Sequence, residues 1–103
     1  MNERQYGRRA VEVGGIGRNV ATNLRRLRDA RSLSTRDLSA LLAKAGRPIP
    51  ASGITRIEKG ERRVDVDDFA ALAAALNVEP GHLLADPASL VIEVRIASGG
   101  EGR

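Results

Sequence analysis

The 103-residue sequence contains no cysteine and no tryptophan, and it has only one phenylalanine, one tyrosine and one histidine. The absence of cysteine excludes a disulfide framework, thiol catalysis and a Cys-ligated zinc site, and it fits a reducing compartment. Because aromatic residues are so scarce, a hydrophobic core must be built from Leu, Ile, Val and Ala, which suits packed helices. The length is that of one small domain.

Long apolar runs are missing as well. No segment approaches the ~20 consecutive apolar residues that a membrane-spanning helix requires. The N-terminal "MNERQYGRR" also lacks the apolar stretch of a signal peptide. We therefore expect a soluble, cytoplasmic protein.

Charge is distributed unevenly along the chain. Residues 1–63 contain 15 Lys and Arg against 6 Asp and Glu, a net charge of +9, whereas residues 64–103 contain 2 against 7, a net charge of −5. A basic region of this size is typical of proteins that bind polyanions. The alternative is a solvated surface that is merely rich in arginine.

Apolar residues at helical spacing predict five helices from Arg18 onward, so the expected fold class is all-α. The apolar side chains that should face the core are, in chain order, Ile16, Val20, Leu24 and Leu27; Leu38, Leu41 and Leu42; Ile54 and Ile57; Phe69, Leu72, Ala73 and Leu76; and Leu83 and Leu84. Ser34 and Asp37 have the S-x-x-D spacing of a capping box at the start of the second helix. Gly60 stands where a left-handed cap should end a third helix over residues 51–59.

The C-terminal "LVIEVRIA" has a different period. Its apolar residues Leu90, Ile92, Val94 and Ile96 alternate with the others, which predicts a short β-strand. One strand cannot satisfy its own backbone hydrogen bonds. Its partner would be the "AVEV" segment at residues 10–13 or the same strand of a second subunit, and the alternative is an unfolded tail.

Three stretches, "SLSTRDLS", "ITRIEKGERR" and "ALAAALNV", stand in one particular order along the chain. Their combination resembles the lambda-repressor-like helix-turn-helix domains of the XRE family of bacterial and phage regulators. The resemblance covers residues 16 to about 85 and implies a five-helix domain from an actinobacterial or phage-like source. We expect residues 1–15 to form a flexible or short-strand arm, residues 16–85 the helix-turn-helix domain, and residues 86–103 a strand and tail that serves dimerisation.

The resemblance implies that the helix beginning at Ala51 enters the DNA major groove. The implied base contacts are Ala51, Ser52, Thr55 and Arg56. Arg56 is the main candidate, because guanine O6 and N7 accept two hydrogen bonds from one guanidinium group. The alternatives are that Arg56 is an ordinary surface residue paired with an acid, and that Ser52 only caps its helix.

The resemblance also implies contacts that position the protein on the DNA. The implied phosphate contacts are Thr35, Arg36, Lys59, Arg62 and Arg63. Arg28 and Glu58 match positions that form a structural ion pair in the family, so we expect Glu58 to stabilise the fold and not to touch DNA.

The connection between the second and third helices departs from the family pattern. The run "KAGRPIPASG" is about five residues longer than the usual tight turn and places Gly53 inside the third helix. Either the second helix gains a turn or the connection protrudes, and Arg47 reaches a phosphate or the solvent.

Residues that could carry catalysis are sparse. His82 is the only histidine, and Asp65, Asp67 and Asp68 are explained as acids in the first turn of a helix. The sequence predicts no enzyme activity, no metal site and no cofactor.

These observations predict a sequence-specific regulator that binds double-stranded DNA as a homodimer in the nucleoid. We expect a repressor, with a regulatory protein as a further partner. The alternative is a protein-interaction module of the same fold, like an antitoxin or a coactivator, that does not read DNA sequence.

Overall fold

The computed structural model describes residues 13–89 of the chain. In chain order it contains the helices α1 (Gly15–Ala30), α2 (Thr35–Lys44), α3 (Ala51–Glu58), α4 (Val66–Leu76) and α5 (Pro80–Leu84), followed by a 3-10 turn at Pro87–Ser89. This range contains five α-helices and no strand, so the all-α prediction is confirmed. The predicted strand with Leu90, Ile92, Val94 and Ile96 lies outside the described residues. No helix within residues 13–89 is long and apolar enough to span a membrane.

All five helices contribute aliphatic side chains to one core. α1 packs against α3, α4 and α5, and α2 packs against α3 and α4. The fully buried large side chains are Leu24, Leu27, Leu38, Leu42, Ile49, Ile54, Ile57, Leu72, Leu76 and Leu83. Phe69 packs against this cluster and is only partly buried.

The prediction of the core was wrong at three positions. Ile16 is 64% exposed, Leu41 is 39% exposed and Leu84 is 43% exposed. Ile16 and Leu84 lie at the ends of their helices, where no further element of residues 13–89 covers them. Leu41 lies at the edge of the α2 stripe, because Leu38 and Leu42 already occupy the centre of the face that α2 buries.

Hydrogen bonds at the helix ends explain the element boundaries. The capping box is present, since the Ser34 hydroxyl accepts the Asp37 N–H at 2.9 Å and the Asp37 carboxylate accepts the Ser34 N–H at 2.9 Å. Gly60 has φ +75°, so the left-handed cap of α3 is confirmed. α1 begins at Gly15, three residues before the predicted Arg18, because the Gly14 carbonyl already accepts the Arg18 N–H.

Side chains of α1 fix the chain that leaves α5. The buried Asn23 amide donates to the carbonyl groups of Leu83 at 2.9 Å and Ala85 at 2.8 Å. Asn19 donates to the Leu84 carbonyl, and Arg26 donates to the Pro87 carbonyl at 2.7 Å. These donors satisfy carbonyl groups that have no partner within the short helix. After α5 the chain therefore runs along α1 towards the C-terminal end of that helix.

Asp65 caps α4, and its contribution to the free energy of unfolding should depend on pH. Its carboxylate accepts the Asp68 N–H at 2.7 Å, and this hydrogen bond together with the charge of Arg47 lowers the pKa of Asp65 below 3.8. A lowered folded-state pKa contributes stability above the unfolded pKa, and that contribution is lost as the pH falls through the folded pKa. Asp65→Asn keeps a capping oxygen but cannot titrate. We expect this variant to lose less free energy of unfolding than the parent between about pH 5 and pH 2.

The measurement is urea denaturation at successive pH values. The control is Asp67→Asn, which removes an exposed carboxylate from the same helical turn. Equal pH dependence in Asp65→Asn and Asp67→Asn would contradict this role for Asp65.

Candidate nucleic-acid interface

α3 buries one side and exposes the other. Gly53, Ile54 and Ile57 face the core. Ser52 and Arg56 are exposed, and Ala51 and Thr55 are half-buried. At about 100° per residue, the positions of these last four residues span an arc of roughly 140° around the helix. The four predicted base-contact residues therefore share one face of α3.

The side chains on this face differ in whether they already have a hydrogen-bond partner within the protein. The Arg56 side chain makes no hydrogen bond or ion pair with any residue in the range 13–89, so the alternative of an arginine paired with an acid is not seen there. The N-cap of α3 is Pro50 and no side chain caps the helix, so Ser52 does not serve as a cap. The Thr55 hydroxyl donates to the Ala51 carbonyl at 3.1 Å, which leaves its oxygen available as an acceptor.

Four predicted phosphate contacts lie at the ends of α2 and α3. Thr35 and Arg36 open α2 directly after the Ser34 cap, where the first N–H groups have no partner within the helix. Lys59 and Arg63 are exposed beyond the end of α3. Each of these positions can present a cation, a hydroxyl or an amide to an anion outside the protein.

Arg62, the fifth predicted phosphate contact, has a contact inside the protein. Its Nη2 lies 3.6 Å from the Asp68 carboxylate, and its side chain is 33% exposed. The guanidinium group also lies against Gly53, because a Cβ added to that glycine would stand 2.5 Å from the Arg62 Nη1. Glycine inside α3 therefore makes room for the side chain of Arg62.

The connection between α2 and α3 covers residues 45–50 and is anchored to the core near its end. Gly46, at φ +87°, follows the last turn of α2. Ile49 is 1% exposed, and its carbonyl accepts the Ser39 hydroxyl at 2.7 Å. Arg47 has partners that neither alternative included: its Nε donates to the Asp68 carboxylate at 2.9 Å and its Nη2 lies 3.2 Å from Asp65, while the side chain stays 42% exposed.

Arg47, Arg62, Asp65 and Asp68 form what we call the Asp68 cluster. The Asp68 side chain is only 10% exposed and lies between two guanidinium groups. Its hydrogen bond raises the pKa of Arg47. Sequence reasoning had explained Asp68 by the helix dipole alone. The cluster connects the start of α4 to both loops that flank α3.

The C-terminal end of α3 is held by an ion pair between Arg28 and Glu58. The Arg28 Nε and Nη2 donate to the two Glu58 oxygens at 2.7 and 2.9 Å, and Nη1 donates to the Leu33 carbonyl at 2.7 Å. The two side chains are 12% and 8% exposed. The hydrogen bond to Glu58 raises the pKa of Arg28. Both Glu58 oxygens are therefore engaged within the fold.

Comparison with known proteins identifies a family for this chain. A family model described as a helix-turn-helix domain matches residues 20–86. The matched stretch runs from within α1 to just beyond α5 and includes the whole of α2 and α3. No curated protein and no solved structure matches the chain. Within the described residues, no group of His, Cys, Asp and Glu is arranged to hold a metal ion.

Removing one partner of the Arg28–Glu58 pair should cost much of the stability. We expect Glu58→Gln to lower the free energy of unfolding by about 3 kcal/mol, because it leaves the Arg28 charge nearly buried without its counter-ion. Chemical denaturation measures this loss. The control is Asp29→Asn, since Asp29 also contacts Arg28, at 3.5 Å, but is 61% exposed. Its effect should stay below about 1 kcal/mol. Equal losses in the two variants would contradict a structural role for Glu58.

The neighbours Arg62 and Arg63 should differ in their effect on stability. Arg62→Ala removes the contacts with Asp68 and Gly53, so we expect it to lower the free energy of unfolding by up to about 1 kcal/mol. Arg63→Ala should change it by less than about 0.5 kcal/mol, as is usual for an exposed side chain. Thermal unfolding of the two variants beside the parent tests this difference. A larger loss in Arg63→Ala than in Arg62→Ala would show that the loop is held differently.

Proposed function

Since the chain belongs to the helix-turn-helix domain family, we propose that it is a sequence-specific regulator of the XRE type that binds double-stranded DNA. The helix-turn-helix domain itself suggests a DNA-binding regulator. The proposal adds that α3 reads the bases, that the chain acts as a homodimeric repressor in the cytoplasm, and that it has no catalytic role. In this proposal the protein blocks a promoter by occupying it.

The observation that carries the proposal is the state of Arg56 on α3. The opposite face of this helix is buried, and Glu58 at its end is bound by Arg28. Arg56 is exposed and has no partner among the described residues. The fixed helix determines where the Arg56 side chain begins, and guanine O6 and N7 accept its planar guanidinium group in two hydrogen bonds.

The proposed phosphate contacts supply affinity. Arg36, Lys59 and Arg63 carry positive charge at the ends of α2 and α3, and Thr35 adds a hydroxyl at the start of α2. Contacts to phosphates fix the register on the duplex and make binding sensitive to salt, whereas base contacts determine the sequence. Arg62 can reach a phosphate only if it leaves or shares its contact with Asp68.

The homodimer follows from the proposed mode of reading. Two copies of α3 related by a two-fold axis would read half-sites about 34 Å apart, one turn of the duplex. The proposed dimerisation residues Leu90, Ile92, Val94 and Ile96 belong to the stretch beyond residue 89. A further regulatory protein partner stays a proposal of the same kind.

Selection from random duplexes at two salt concentrations tests this function. We expect enrichment of a two-fold-related sequence. Arg56→Ala should lose discrimination at one base pair in each half-site by about 1–3 kcal/mol, or roughly 5- to 150-fold. The matched control is Arg25→Ala, which removes an exposed arginine from α1 whose charge already lies 3.8 Å from Asp29. The control should keep the sequence preference of the parent.

Two results would overturn the proposal. One is the absence of binding, and the other is salt-sensitive binding without any preferred sequence. Either would leave the protein-interaction module of the same fold as the better explanation. That function would survive replacement of Arg56, Arg62 and Arg63 by alanine.

A further inference from the structure

Apolar side chains that the core leaves uncovered gather in one groove. Among residues 13–89 four large apolar side chains are exposed, and three of them line this groove: Ile16 at 64%, Val66 at 78% and Leu84 at 43%. Val13, Val20, Val64 and Phe69 also line the groove, and its volume is about 430 Å³. The groove lies between the start of α1, the start of α4 and the end of α5. An apolar concentration of this kind on a small domain marks an interaction surface.

DNA is not a suitable occupant of this groove. None of the proposed base-contact residues lines it, and a phosphate backbone gains nothing from contact with Ile16, Val66 and Leu84. Arg62 and Arg63 lie at its rim and mark the border with the proposed DNA surface. The occupant must instead present a row of apolar side chains.

Residues 90–97 provide such a row. Leu90, Ile92, Val94 and Ile96 alternate with the other residues of the segment. In an extended chain their side chains point to one side at intervals of about 7 Å. Four apolar side chains on one edge need an apolar surface, and the groove offers one, because three of the four exposed large apolar side chains of residues 13–89 line it.

The path of the chain after α5 decides which copy supplies this segment. Asn19, Asn23 and Arg26 bind the carbonyl groups of Leu84, Ala85 and Pro87 in that order. The chain therefore moves away from Ile16, and ten residues of α1 separate Ile16 from Arg26. At 1.5 Å per residue this separation is about 15 Å.

If the segment returned to the groove of its own copy, many of its residues would be needed to span the distance and could not lie in the groove. Covering about 15 Å takes four to five extended residues at about 3.3 Å each, so only about half of the segment would reach the groove. Thr22, Arg25 and Asp29 make the outer flank of α1 polar and exposed, which is unsuitable for Leu90 and Ile92. A segment that continues away from its own domain does not have to span this distance, and its apolar side chains do not have to lie against the polar flank of α1.

We propose that the groove lined by Ile16, Val66 and Leu84 binds residues 90–97 of a second copy of this chain. By two-fold symmetry each copy gives one segment and receives one. The inference rests on the homodimer of the proposed function and specifies how that dimer is built. It assigns the apolar groove, and not the DNA-reading face, to contact between subunits.

Engineered disulfides test this arrangement, because the chain has no cysteine of its own. Val66→Cys protein is mixed with Val94→Cys protein and oxidised. With an affinity tag on the Val66→Cys chain only, we expect a disulfide-linked heterodimer whose mass is the sum of one tagged and one untagged chain. The matched control replaces Val66→Cys with Leu41→Cys, since Leu41 is the exposed apolar residue outside the groove. The control mixture should form at least tenfold less heterodimer.

The chain that carries both Val66→Cys and Val94→Cys distinguishes the two copies. A disulfide within one chain, at the monomer mass, would overturn the assignment to a second copy. Equal cross-linking by Val66→Cys and Leu41→Cys would contradict the proposal that the groove binds residues 90–97. Neither readout uses DNA. A parent that is monomeric by sedimentation contradicts the proposed homodimer, whereas a dimeric parent without the Val66 cross-link contradicts only this inference.

A charge placed in the groove gives a second measurement. Val66→Glu should weaken the dimer at least tenfold in sedimentation equilibrium, because the incoming apolar segment would bury a carboxylate. Glu suits the first turn of α4, so the helix should stay intact in circular dichroism. Leu41→Glu is the control and should leave the dimer unchanged. An unchanged dimer in Val66→Glu would overturn the proposal.

Discussion

The ion pair between Arg28 and Glu58 is the interaction on which the placement of α3 depends. Both charges are nearly removed from water, so the pair is tolerable only because three nitrogens of Arg28 and both oxygens of Glu58 find partners. The pair joins the last turn of α1, the longest helix, to the last turn of α3. A small helix of two turns thereby takes its direction from the largest rigid element of the fold.

The Asp68 cluster holds the two loops that flank α3. Arg47 from the connection before the helix and Arg62 from the loop after it both approach the Asp68 carboxylate. Arg62 lies against Gly53 in the middle of the helix, and buried Ile49 fixes the chain just before it. With both ends held and one face buried, only the face with Arg56 remains open. Because the two ends and one face of α3 are held, the backbone position from which the Arg56 side chain extends is defined.

Sequence patterns predicted the features that depend on near neighbours. The capping box at Ser34 and the left-handed Gly60 follow from local hydrogen bonding, so they could be found from a few adjacent residues. Arg47 and Asp68 stand 21 residues apart, and no local rule connects them. Periodicity likewise predicted the apolar face of α1, but it could not show that Ile16, on the same face, lies outside the core. The Arg28–Glu58 pair, 30 residues apart, came only from the family resemblance.

The loop after α3 belongs to both proposed surfaces. Arg62 and Arg63 lie at the rim of the apolar groove, and Val64 lies in its wall. A second copy seated in the groove would therefore rest against the same few residues that carry the proposed phosphate contacts. Because these residues would serve both contacts, any effect of dimer formation on DNA binding must equal the effect of DNA binding on dimer formation.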